Sequence, residues 1–162
     1  MASGVIITDD VKNLYEAMKV VKAGDDLNSR VKVAILLIKD SKEIVVGDTY
    51  THQDLEAKPG FTILTEQMDK MECFYALYDC SFETKDGVHK EDLVLLMWTS
   101  DGAHIKKKML YASSKGNLKM ALKGIKHDLQ INDRSDWSKQ AVAAKMSEKH
   151  SWVVAKIEGM DV

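Results

Sequence analysis

A chain of 162 residues, 45% hydrophobic and with a single proline, has the size and composition of one globular domain and not of a disordered chain. Its 23 basic and 25 acidic residues give a formal net charge of -2, which excludes the basic excess of a general nucleic-acid binder. The two cysteines, Cys73 and Cys80, sit in one apolar run with no metal or disulfide spacing and read as buried free thiols.

The opening residues MASGVIITDD carry no basic flank or long apolar run, so neither a secretory leader nor a membrane span is expected, and the chain reads as a soluble, reduced, intracellular protein. In TDDVKNLYEAMKVVKAGDD, Val11, Leu14, Met18 and Val21 share one helical face; Thr8 or Asp9 is placed to cap the start, and Gly24 with its aspartates to end it. Val31 to Ile38 is a continuous apolar run of strand length, as for a strand covered on both faces, and EIVVGD follows the turn Lys39 to Lys42 as its hairpin mate. TYTHQDLEAKPG reads as a loop, broken at Pro59-Gly60. The spacing of Ile63, Leu64, Gln67, Met68 and Met71 predicts a helix over 61–71.

CFYALYDCSF and DLVLLMW read as two central strands, joined through Asp86-Gly87. Leu118, Leu122, Ile125 and Leu129 recur at helical spacing, which predicts one long helix from Met109 to Gln130. Lys115, Lys119 and Lys126 lie about 100° round it and face solvent. Lys106, Lys107 and Lys108 gather at its start, where the helix dipole disfavours cations, and Ser113, Ser114 and Gly116 predict a kink or break. A further helix over SDWSKQAVAAKMSEK, capped by Ser135 or Asp136, and a last strand WVVAKIE complete a mixed α/β sheet with helices packed on it.

Nothing in this order of elements asks for catalysis. His52, His89, His104, His127 and His150 are scattered without metal-ligand spacing, and Gly24, Gly47 and Gly60 are isolated, without a phosphate-binding loop. No serine sits in a nucleophile elbow, and the pairs Asp9-Asp10 and Asp25-Asp26 fall where capping accounts for them. No enzyme, cofactor or metal site is expected.

The pieces YALYD, KEDLV with the tryptophan ending that strand, KMLYASSK and GIKHDLQ, in this order, resemble the heart of the ADF/cofilin family, and the start MASGV and the helix NLYEAMKV are similar to its N-terminal part. The resemblance implies a single ADF-homology domain over residues 1–162, with a central mixed β-sheet sandwiched by α-helices and a flexible segment 1–6. It implies a monomer that binds G-actin and F-actin, severs and depolymerises filaments, and works in the cytoplasm on the actin cytoskeleton. Contact with monomers and filaments alike would use Ser3, Gly4, Val5 and Ile6 with Lys106, Lys108, Met109 and Ser114. A second, filament-side contact would use His89, Lys90, Asp92, Lys145 and Glu148, with His89 standing where a second lysine is common. Phosphoinositides would bind at Lys106, Lys108, Lys119 and Lys126, and a LIM-type kinase and a phosphatase would act at Ser3. Arg30 and Lys32 are what stands here for the basic import run of vertebrate members, which leaves nuclear entry open. The alternative is a coactosin-like filament side-binder without depolymerising activity.

Overall fold

Period-two alternation in the central runs builds two cores, one on each face of a sheet. A computed structural model describes residues 4–20, 24 and 26–162. In chain order the strands are β1 (Ile6–Ile7), β2 (Val31–Lys39), β3 (Glu43–Thr51), β4 (Cys73–Thr84), β5 (His89–Thr99), β6 (His127–Ile131), β7 (Val154–Ile157) and β8 (Met160–Asp161). The helices are α1 (Asp9–Lys19), α2 (His52–Ala57), α3 (Gly60–Lys70), α4 (Ile105–Ala121) and α5 (Lys139–Ser147).

The sheet runs β1-β3-β2-β4-β5-β6. Its outer pairs β1/β3 and β5/β6 are parallel, and β2, β3, β4 and β5 pair antiparallel. β4 and β5 are in register from Cys73 opposite Thr99 to Glu83 opposite His89. β2 and β7 share the other edge of β4, end to end. Phe74, Ala76, Tyr78, Leu96 and Trp98 point to one face, against Leu64 and Met68 of α3 and Val142 and Met146 of α5. Tyr75, Leu77, Leu95 and Met97 point to the other, against Val11, Tyr15 and Met18 of α1 and Tyr111 and Leu118 of α4. Each face thus buries a stripe that only a two-residue period can supply.

Several expectations are corrected. The helix predicted from Met109 to Gln130 is α4 followed by β6: the helix ends at Ala121, Gly124 turns the chain at φ 84, and the next residues form a strand. Leu118 and Leu122 do belong to the helical stripe, but Leu129 is buried with Ile131 at strand spacing beside β5. The helical phase of Leu129 was a coincidence that parallel pairing overrides. No break interrupts α4, which runs continuously from Ile105 to Ala121 past Ser113, Ser114 and Gly116; both serine hydroxyls donate back to the Leu110 carbonyl, and Gly116 faces open space. The stretch read as a loop instead extends β3 to Thr51 and forms α2, capped by Thr51 and Asp54. Thr8 stands at the N-cap of α1 but its hydroxyl donates to Ile44 O of β3, and α1 ends at Lys19, ahead of Gly24. Ser138, rather than Ser135 or Asp136, caps α5. The expectations for Ser3, Val21 and Asp25 lie outside the described residues.

Candidate partner-binding surfaces

The first surface is made by β1 and the N-terminal half of α4. Ile6 N donates to Lys42 O at 2.9 Å, tying the chain to the sheet edge, while the Ile6 side chain stands 66% exposed. Val5 turns the other way into the core beneath α1 and α4. Val5 and Ile6 are thus tied to the core and to the sheet edge. Ile105 and Met109, each 63% exposed, share a helical face one turn apart, with Lys106 exposed beside them. Lys108 is half-buried with its Nζ 3.8 Å from Asp101, and Lys107 Nζ lies 3.9 Å from Glu72. Exposed apolar side chains one turn apart beside a cation make this a candidate contact face.

Ser114 does not join this face. It is fully buried under α4, its hydroxyl donating to Leu110 O at 2.7 Å, because it falls on the same stripe as Tyr111 and Leu118. Tyr75 donates from its hydroxyl to Tyr111 O just below, and burial holds the Tyr75 phenol well above its ordinary pKa. Gly4 is exposed with φ 78, a left-handed conformation that glycine adopts without strain.

The second surface lies around β5, β6 and the end of α5. His89 is exposed at the start of β5, with Nε2 3.9 Å from Glu83. Lys90 is half-buried, its Nζ 5.6 Å from the centre of the Trp152 ring, and His150 stacks on that ring at 4.2 Å. Asp92, expected at the surface, is instead buried: Oδ2 lies 2.9 Å from His127 Nε2 and Oδ1 3.5 Å from Lys126 Nζ. The hydrogen bond from His127 and the Lys126 charge hold its carboxyl below the usual range, against the opposing effect of burial. Lys145 and Glu148 are exposed and line a polar cleft of about 190 Å³ together with Lys119, Lys126, His127 and His150.

The four lysines expected to hold phosphoinositide do not form one patch. Lys106 and Lys108 sit near one end of α4 and Lys119 near the other, about 20 Å away along the axis. Lys119 is 3.1 Å from Asp128, and Lys126 lies off the helix, beside Asp92. Arg30 and Lys32 point inward: both lie within 3.3 Å of Asp79 Oδ2, and the Lys32 side chain is only 4% exposed.

Sequence reasoning missed Trp152, His150 and the His127–Asp92 pair. The run SEKHSWVV held the signal, since an aromatic beside a histidine near a basic strand is a contact in waiting, but its partners lie on other strands. Both thiols are buried, with burial pushing Cys80 up to about 12. Among the described residues no group of three His, Cys, Asp or Glu side chains is placed to hold a metal ion, and no helix is long and apolar enough to cross a membrane.

Residues 4–147 match the family described as cofilin/tropomyosin-type actin-binding protein. Among solved structures, a cofilin from Streptomyces griseoflavus is 28% identical, with 89% of this chain and 100% of that one covered at a TM-score of 0.71. Actin depolymerization factor 2 from Plasmodium berghei is 27% identical over 91% of this chain and 99% of its own, at 0.72. The human coactosin-like protein shares the fold alone, at 14% identity and a TM-score of 0.66, over 89% of this chain and 98% of its own.

Proposed function

Since the chain belongs to the cofilin/tropomyosin-type actin-binding family, over residues 4–147, we propose that it binds actin through the face formed by Ile6, Ile105, Lys106 and Met109. The observation that carries this reading is that Ile105 and Met109 stand exposed one turn apart beside exposed Lys106 on α4, while β1, which lies against α4, leaves Ile6 exposed. Gly4 and Lys108 extend the same face, and Ser3 precedes it in the chain. His89, Lys90, Lys145 and Glu148 supply a second contact, to a neighbouring subunit of the filament, with Asp92 supporting Lys126 from beneath.

The proposed activity is severing and depolymerisation of filaments by a monomeric protein, with preference for ADP-bound subunits. A ligand that fits a more twisted filament better than the relaxed one shifts the filament toward the twisted state, in proportion to its differential affinity. No bond is made or broken. Phosphorylation of Ser3 by a LIM-type kinase, reversed by a phosphatase, would place nearly two negative charges beside the contact face. Phosphoinositides would compete for Lys106 and Lys108 at one end of α4 and for Lys119 and Lys126 near the other, in the cytoplasm where the actin cytoskeleton lies.

Sedimentation of actin filaments with increasing protein tests the reading. Severing and depolymerisation transfer actin to the supernatant. Protein that only co-pellets would favour the coactosin-like side-binder, and protein that stays in solution while actin pellets unchanged would contradict filament binding altogether.

A further inference from the structure

α4 is held by few apolar anchors for its length. Over 17 residues, Tyr111, Ser114 and Leu118 are buried, and Leu122 follows at the C-cap. The buried residues form one line along the helix, flanked by half-buried Leu110, and so narrow a line fixes where a helix lies while leaving rotation about its own axis weakly restrained. Polar groups on the two flanks supply that restraint. Toward β2, the Tyr111 hydroxyl accepts from Ile38 N at 3.0 Å. Toward β6, on the opposite side of the sheet, Asp128 meets two lysines one turn apart: Lys115 Nζ is 2.8 Å from Oδ1 and Lys119 Nζ 3.1 Å from Oδ2. The Lys115 and Asp128 side chains are 19% and 22% exposed, so this pair is largely out of water, unlike the longer pairs of Lys107 and Lys108.

We propose that Asp128 is a positioning residue which, by gripping Lys115 and Lys119, sets the rotation of α4 and so the presentation of Lys106 and Met109 to actin. This rests on the reading of α4 as the actin-facing helix. Side chains on the outer face stand about 5–6 Å from the helix axis, so a rotation of about 20° carries them sideways by about 2 Å. That is enough to spoil hydrogen bonds whose useful range is only a few tenths of an ångström.

Charge and geometry make opposite predictions, which is what allows a test. Asp128→Asn removes a negative charge and frees two lysines, so a purely electrostatic role would leave binding to an acidic partner unchanged or make it tighter. Positioning requires it to become weaker. Titration of labelled ADP-actin monomers should show affinity reduced about threefold to tenfold in Asp128→Asn. Amide exchange should quicken in residues 115–121 and stay slow in β4 and β5, and Asp128→Glu should restore most of the affinity. Affinity unchanged or raised in Asp128→Asn overturns the proposal, as does a loss without faster exchange in α4 or without rescue by Asp128→Glu. If Asp128→Asn does not fold, Lys115→Gln with Lys119→Gln opens the same grip from the helix side, and unchanged affinity there overturns it equally. A wild type that fails to bind actin overturns the reading beneath the proposal, and the same titration series distinguishes that failure from the others.

Discussion

Lys106 and Lys108 illustrate how little an exposed charge contributes to folding and how much it can contribute to binding. Lys106 has a free surface position and Lys108 only a long pair with Asp101, so replacing both with alanine should leave the melting temperature nearly unchanged. The same double variant should weaken affinity for monomers and filaments about tenfold or more, as loss of charges at a contact centre does; unchanged affinity in the titration would remove them from the face. Ser3→Glu should lose most actin binding while keeping the wild-type melting curve, and Ser3→Ala should stay active; a glutamate variant that severs normally would show that this terminus is not the switch. Asp92 belongs to the other class. Its carboxyl is held below the usual range when folded, so ionisation stabilises the fold above the unfolded carboxylate pKa of about 4, and that contribution is lost as pH falls through the lowered folded value. Asp92→Asn should therefore be less stable by about 1–3 kcal/mol at pH 7, with the gap to wild type narrowing below about pH 4. Denaturant melts across pH check this, and a gap independent of pH would contradict it. Among site residues, Lys106 and Met109 were singled out by the family resemblance, and both stand exposed on α4. Ser114 and Asp92 were not legible as buried, since their partners, Leu110 along the helix and His127 on a neighbouring strand, become visible only once the elements are placed.

At the scale of elements, legibility followed the strength of the period. β4, β5 and α3 were readable because long apolar runs and a Pro-Gly breaker leave one reading. α4 and β6 were fused into one helix because Leu118, Leu122 and Leu129 fit its phase, and β5 lies too far away in sequence to announce that it would claim Leu129 as a strand. α3 shows a second long-range device. Its first amides, Gly60 N and Phe61 N, donate to the Glu158 carboxylate at 2.8 and 2.9 Å, and the Tyr78 hydroxyl donates to the same group at 2.5 Å. Glu158 reaches them from the turn between β7 and β8, in a left-handed conformation at φ 50. No local pattern could reveal a cap supplied across the whole second half of the chain. Gly60 is required for this approach, because an added Cβ would stand 2.8 Å from Tyr78 Cε1 and 3.1 Å from Val33 Cγ2. Gly60→Ala should cost about 1–3 kcal/mol, read as a lower denaturation midpoint at unchanged slope. An equal or higher midpoint would show that α3 can shift to make room.

For the whole molecule, the division of labour between the sheet faces explains how one small domain presents a fixed surface. The α3/α5 face is closed by large interlocking side chains, among them Phe61 stacked on Trp137 at 4.6 Å. The α1/α4 face is closed along a narrower line, which leaves the outer side of α4 and the edge strand β1 available to a partner. Rigid elements supporting an exposed apolar and basic face suit the proposed differential binding to two filament states, because a soft surface would follow either state equally. The most direct measurement of this account is hydrogen exchange of the chain, alone and saturated with ADP-actin monomers. New protection should be confined to residues 4–7 and to α4 from Ile105 onward, with α3 and α5 unchanged. Protection that falls on α3 or α5 and spares α4 would contradict it.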